Sequence, residues 1–173
     1  PSSGAVRRPF PRSRAPGDAG GQVDDDAPRR AVAGHGVPIR KSTDLKNWQL
    51  AGRIFEEESV PAWAAEMIPG TRFPWAPDVS YFNGRFHVYY SVSTFGSQRS
   101  VIGLATSPTL DQESPDYKWT DHGMVLDSHP DRDSFNAIDA NLIVDTDGNP
   151  WLNWGSFHWR DTTPGGIMII PLE

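Results

Sequence analysis

The chain has 173 residues, enough for one domain with a sizeable core or for a piece of a larger one, and too few for two ordinary domains. Sixteen Lys and Arg against 22 Asp and Glu leave a net charge of -6, which gives no footprint for phosphate backbones, so no nucleic-acid partner is expected. The absence of cysteine excludes a disulfide framework, a thiolate metal site and a Cys nucleophile. No apolar run approaches the ~20 residues that cross a bilayer, and no basic-then-apolar leader opens the sequence, so a soluble chain with no membrane partner and no export signal of its own is expected. Seven Trp, 4 Tyr and 8 Phe beside 16 Gly and 16 Pro suit an all-β protein of short strands, and they suit a sugar-binding cleft equally well.

Residues 1–36 hold five Pro, six Gly, six Arg and four Asp with Phe10 as their one aromatic, too little apolar surface to offset the entropy of ordering. They are expected to form a disordered or atypical tail, and residues 37–173 the folded domain. The pairs Arg7-Arg8 and Arg29-Arg30 could meet an anionic partner, but Asp24, Asp25 and Asp26 interrupt them and a solvated chain is the simpler account.

From Val37 onward, short segments of alternating apolar and polar residues are separated by turn signals, and no stretch keeps a helical period for three turns. Phe82-Asn83-Gly84-Arg85 predicts a tight hairpin, because Asn-Gly supplies the positive φ angles that a two-residue turn needs. A second hairpin is predicted where Leu142-Ile143-Val144 and Trp151-Leu152-Asn153-Trp154 flank Asp145 to Pro150. Gly84 and Gly148, and likewise Tyr90 and Trp154, recur about 64 residues apart, the mark of a tandem repeat. Ile39, Ser42, Leu45 and Trp48 are echoed by Ile102, Ser107, Leu110 and Trp119, with a loop inserted around Gln112 to Asp116. Each unit reads as four antiparallel strands, the pattern of a β-propeller blade. Val37 to Phe55 supplies two strands, Trp75 to Leu126 a whole blade and Asn136 to Leu172 three strands. About two to three blades are thus expected, part of a larger propeller, since at least four are needed to close a ring.

Three stretches could carry chemistry. In Phe73-Pro74-Trp75-Ala76-Pro77-Asp78, two prolines stiffen the approach to an inner strand, so Trp75 could stack on a sugar ring and Asp78 accept hydroxyl hydrogen bonds; a packed Trp and a strand-capping Asp is the alternative. Phe135-Asn136-Ala137-Ile138-Asp139-Ala140-Asn141 occupies the equivalent place one blade later, presenting Asn136 and Asp139 while Ile138 packs. Such an Asp can do acid/base work or tune a neighbour, or simply form a turn. Gly155-Ser156-Phe157-His158-Trp159 offers a hydroxyl, an imidazole and two rings at one rim, or plain loop packing. Asp145-Thr146-Asp147-Gly148-Asn149 lacks the distant Glu of a calcium loop and reads as turn chemistry. His122 and His129 have no partners at metal-ligand spacing, and no metal ligand is assigned.

The ordered set Ile39-Arg40-Lys41-Ser42 with Trp48, Trp75-Ala76-Pro77-Asp78, Tyr89-Tyr90-Ser91 with Phe95-Gly96, Ile102-Gly103-Leu104-Ala105-Thr106-Ser107, Asn136-Ala137-Ile138-Asp139 and Gly155-Ser156-Phe157 resembles the endo-1,5-α-L-arabinanases of glycoside hydrolase family 43. The resemblance implies a five-bladed propeller, of which this chain is part, and inverting hydrolysis of α-1,5-linked arabinan outside the cell. It implies that Asp139 is the catalytic-site carboxylate that orients the general acid and raises its pKa, and that Trp75, Asp78, Asn136 and Ser156 bind substrate. It also implies that no cofactor is required, although a structural calcium near the axis, with ligands that cannot be named here, belongs to the same resemblance. The family's Pro after Ile-Asp is Ala140 here, expected to loosen the turn, and the stretch from His158 to Gly166 is longer than usual. The family's general base and general acid have no counterpart in this sequence, so the isolated chain is expected to be a fragment with little or no activity. Two other readings stand beside this one: a non-catalytic carbohydrate-binding propeller module, and a β-xylosidase or α-L-arabinofuranosidase of the same family. The sequence leaves the oligomeric state open.

Overall fold

The computed structural model describes residues 36–55, 60–155 and 166–172. The expectations for the tail and for Ser156, Phe157, His158 and Trp159 fall outside the described residues. The described strands form three antiparallel sheets: β1 (Pro38–Lys41) with β2 (Gln49–Arg53); β3 (Trp75–Phe82), β4 (Arg85–Ser93), β5 (Ser100–Ser107) and β6 (Thr120–Ser128) in chain order; and β7 (Asn141–Val144), β8 (Pro150–Trp154) and β9 (Met168–Pro171) in chain order. Two, four and three strands are the numbers read from the sequence. The first strands of the second and third sheets, β3 and β7, touch each other, as the inner strands of neighbouring propeller blades do around an axis.

Local chemistry sets the hairpins. Phe82 pairs with Arg85, and the two residues between them, Asn83 at φ 47° and Gly84 at φ 74°, take the left-handed conformations that match the strand twist. In the β7–β8 turn, Asp145 Oδ1 accepts from the backbone N–H of Asp147 at 2.9 Å and of Asn149 at 2.8 Å, while Oδ2 accepts from Asn149 Nδ2 at 3.1 Å and Trp151 Nε1 at 2.9 Å. The Asp145 carboxylate therefore organises the turn, and these donors, the Trp151 indole first, hold its pKa down to about 2. Asp44 does the same work between β1 and β2, where it accepts from the N–H groups of Lys46 and Asn47.

Both faces of the four-stranded sheet are covered. One meets the third sheet through Tyr89, Ile102, Ala137, Ala140, Leu142, Leu152 and Trp154. The other packs Tyr90, Val92, Val101 and Ala105 against Ala64 and Ile68. Ala64 lies in a short helix, α1 (Ala62–Met67), which the strand-by-strand reading passed over because six residues cannot display three helical turns. Tyr90 is fully buried and lies across Gly103, its ladder partner, where any Cβ would run into the ring. Its hydroxyl donates to Asp121 Oδ1 at 2.7 Å, and the Trp63 indole donates to Asp121 Oδ2 at 2.8 Å, tying α1 to the outer strand. Burial, reinforced by Asp121, pushes the Tyr90 phenol far above its usual range, so it remains a neutral donor.

Two outcomes are expected. Gly103→Ala forces a methyl into the Tyr90 ring and should cost about 1–3 kcal/mol in urea denaturation, the scale of an overpacked core; a shift within error would mean that the ring can move aside. The Asp145 carboxyl is depressed in the folded state, so its stabilisation is complete above the unfolded value near 4 and is lost as the pH falls toward about 2. Asp145→Asn should therefore flatten the fall of the unfolding midpoint between pH 4 and pH 2, and a slope unchanged from wild type would contradict this origin.

Candidate active site

One end of the four-stranded sheet collects the chemistry-bearing residues. Trp75 opens β3, half-buried, and pairs across the ladder with Ser91 of β4. The strand thus starts at Trp75, ahead of the Pro77-Asp78 pair after which the sequence placed it. The register slips between Trp75 and Asp78, with Ala76 in the left-handed region at φ 41°. Pro77 sits in this bulge, where its missing N–H leaves no gap in the ladder, and the bulge re-aims Trp75.

Asp78 is half-buried and turned toward the next blade: its Oδ2 accepts from Asn141 Nδ2 at 2.7 Å and from Ser80 Oγ at 3.4 Å. The Asn141 amide oxygen in turn accepts from Asn153 Nδ2 at 3.2 Å, and Ser80 Oγ also reaches the Leu142 carbonyl at 3.1 Å. Asn136 is 3 % exposed, lying beneath the rim with its amide oxygen 3.4 Å from Ser128 Oγ and its nitrogen 3.5 Å from the Ser97 carbonyl. Asp139 alone in its segment is exposed. It adopts φ 57° and donates its backbone N–H to Ser91 Oγ at 2.9 Å. Ser91 thus stands between Trp75 and Asp139 and brings the two predicted positions to one place. Ser156 lies outside the described residues.

Several contributors carried no signal of their own in the sequence. Ser91 and Asn141 lie inside quoted motifs without a role, and the contacts that give them one come from residues 48 and 63 positions away. Gln98, 2 % exposed, donates from its amide to the carbonyls of Asp133 at 2.5 Å and Phe135 at 3.0 Å, binding the β4–β5 loop to the approach to Asp139. Phe95 in that loop is 98 % exposed, a bare ring on the rim. The same corner is braced by charge: Asp127 accepts from Arg99 at 2.8 Å and Arg132 at 2.7 Å, and Arg132 also meets Asp133 at 2.9 Å. Burial alone would raise the Asp127 carboxyl, but the two guanidiniums outweigh it and hold it below the usual carboxylate range.

His122 is engaged with Thr106 Oγ1 at 2.7 Å, and His129 faces Asp131 at 3.6 Å. Among the described residues no three His, Asp or Glu side chains converge to hold a metal ion. Among the described residues no helix is long and apolar enough to cross a membrane.

The antiparallel sheets make the chain part of a five-bladed β-propeller of the kind formed by the solved arabinanases it resembles. Residues 23–173 match the family described as Glycosyl hydrolases family 43, and the chain belongs to that family. Among the curated relatives, it is 42 % identical over 141 residues to an extracellular exo-α-(1→5)-L-arabinofuranosidase of Cellvibrio japonicus, covering 81 % of this chain and 38 % of the relative. It is 42 % identical over 139 residues to an extracellular endo-α-(1→5)-L-arabinanase of Bacillus subtilis, covering 80 % and 39 %. Of solved structures, a Cellvibrio cellulosa α-L-arabinanase complexed with arabinohexaose superposes with a TM-score of 0.72 at 40 % identity, over 80 % of this chain and 42 % of that one. The chain thus spans about two fifths of the length of the curated relatives it matches.

The Asp78–Asn141 contact predicts a coupled pair. Asp78→Ala and Asn141→Ala should each destabilise, and the double variant should lose less than their sum by about 0.5–3 kcal/mol in a denaturation cycle. Strict additivity would show that the two side chains do not support each other.

Proposed function

We propose that this chain is part of an inverting, extracellular glycosidase of α-1,5-linked L-arabinan, to which it contributes the Asp139 corner of the cleft. The observation that carries the reading is that exposed Asp139 has its backbone N–H held by Ser91, the ladder partner of Trp75. An aromatic face stacks on the apolar side of a furanose ring while nearby polar groups orient its hydroxyls. A fixed negative charge near a carboxylic acid raises that acid's pKa and keeps it protonated for donation to the leaving oxygen. Asp139 suits this supporting role. Inversion also requires an acid and a base roughly 6.5–9.5 Å apart with water between them. Both are assigned to parts of the propeller that this stretch does not span. Arabinan is supported over xylan by the relatives named above, whose names include both endo and exo action on the α-1,5 linkage. The extracellular setting rests on the same names.

Calorimetry with linear α-1,5-arabinohexaose and with β-1,4-xylohexaose tests the reading. The chain should bind the arabino-oligosaccharide in preference, Trp75→Ala should weaken binding about tenfold, which corresponds to ~1.4 kcal/mol, and debranched arabinan should yield no reducing ends above the blank. Preference for the xylo-oligosaccharide would overturn the substrate. Turnover that disappears in Asp139→Ala would overturn the assignment of acid and base to other parts of the propeller.

A further inference from the structure

The carboxylate of Asp139 accepts no hydrogen bond among the described residues, so the backbone sets the direction in which its side chain leaves the chain. That backbone is unusual. Asp139 sits at φ 57°, a conformation that costs an L-residue on the order of 1 kcal/mol unless the surroundings hold it. The neighbouring groups are fixed: Ile138 N–H donates to the Asn136 carbonyl at 3.0 Å, and the Ile138 carbonyl accepts from Gly155 N–H at 3.0 Å. What remains is the N–H of Asp139 itself, and its partner is a hydroxyl from another blade, Ser91 Oγ at 2.9 Å. Ser91 is fully buried in the middle of a paired strand, with Trp75 on one side and Ile102 on the other, so it cannot meet substrate.

We infer that Ser91 is a positioning residue, whose buried hydroxyl holds Asp139 in its left-handed conformation and thereby aims the carboxylate at the rim. Without the hydroxyl, the Asp139 N–H loses its partner, and a rotation to negative φ that would re-satisfy it swings the side chain away. The importance of this aim rests on the proposed glycosidase role of Asp139. The aim itself is measurable without substrate.

The test is NMR on the isotopically labelled full chain, reading the Asp139 amide exchange rate and its HN–Hα coupling. Wild type should show a protected Asp139 amide, although the residue is exposed, and a coupling typical of positive φ. Ser91→Ala should speed that exchange at least tenfold and move the coupling toward negative φ. Ser93→Ala is the control, because it removes an almost equally buried hydroxyl from the same strand whose partner is Ser100 Oγ at 2.8 Å; it should leave both Asp139 signals in place. Ser91→Cys, a weaker acceptor, should fall between wild type and Ser91→Ala, and it carries the test if the alanine variant does not fold. A freely exchanging Asp139 amide in wild type, or equal effects of the Ser91 and Ser93 variants, would overturn the inference. None of these signals depends on arabinan, so a failure of the substrate reading leaves them unchanged and a failure here leaves the substrate reading standing.

Discussion

The segment from Phe135 to Ala140 belongs to no sheet, yet much of it is buried, and a buried backbone must find hydrogen-bond partners somewhere. Beside the Ile138 N–H to the Asn136 carbonyl and the Gly155 N–H to the Ile138 carbonyl, it finds them on the preceding blade. Gln98 reaches the Phe135 carbonyl, Ser128 receives the Ala137 N–H at 3.0 Å, Ser91 receives that of Asp139, and just beyond, Asp78 and Ser80 take hold of Asn141 and Leu142. Side chains at alternate positions thus stand in for the ladder that a neighbouring strand would have supplied. This requirement accounts for polar residues at positions of the four-stranded sheet that burial alone would give to Val or Ile, since a buried hydroxyl is tolerated only when it is hydrogen-bonded.

The opposite face of that sheet is governed by a single close approach. Tyr90 can lie flat across the ladder only because its partner is Gly103, and its hydroxyl then reaches Asp121, which also receives the Trp63 indole. Apolar burial and one shared carboxylate hold α1 against the sheet without a contribution from helix length. Successive residues of β4 therefore serve different interfaces: Tyr89 the next blade, Tyr90 the helix side, and Ser91 the rim segment.

How much could be read from the sequence follows from the range of each interaction. The Asn83-Gly84 hairpin, the Asp145 turn and the strand count were legible because turn chemistry and alternation are encoded within a few residues. The Trp75 and Asp139 stretches were legible as candidates because each joins unusual residue types at a strand start. Left-handed Ala76 was not, since Ala carries no preference for positive φ and only the bulge around Pro77 demands it. The role of Ser91 was hidden for a different reason. A hydroxyl that meets an amide 48 residues later leaves no spacing pattern in one chain, and a serine within a Tyr-Tyr-Ser-Val-Ser run reads as an ordinary strand residue. Ala140 shows how context changes a local reading: it is 2 % exposed and packs with Leu142 and Trp154 in the inter-blade core. A proline there would bias Asp139 toward extended φ and ψ, against the left-handed turn observed.

The site divides its labour between blades. Asp139, on the segment before β7, is exposed, while Ser91, which receives its N–H, is buried in the blade before it. The carboxylate and its support consequently lie on opposite sides of an inter-blade seam packed by Ala137, Ala140, Leu142 and Leu152. Small residues in that seam let the blades approach closely enough for a hydroxyl on one to reach a backbone amide on the other. The position of Asp139 is therefore a property of how two blades pack, and side chains remote from any ligand share control of where its charge points.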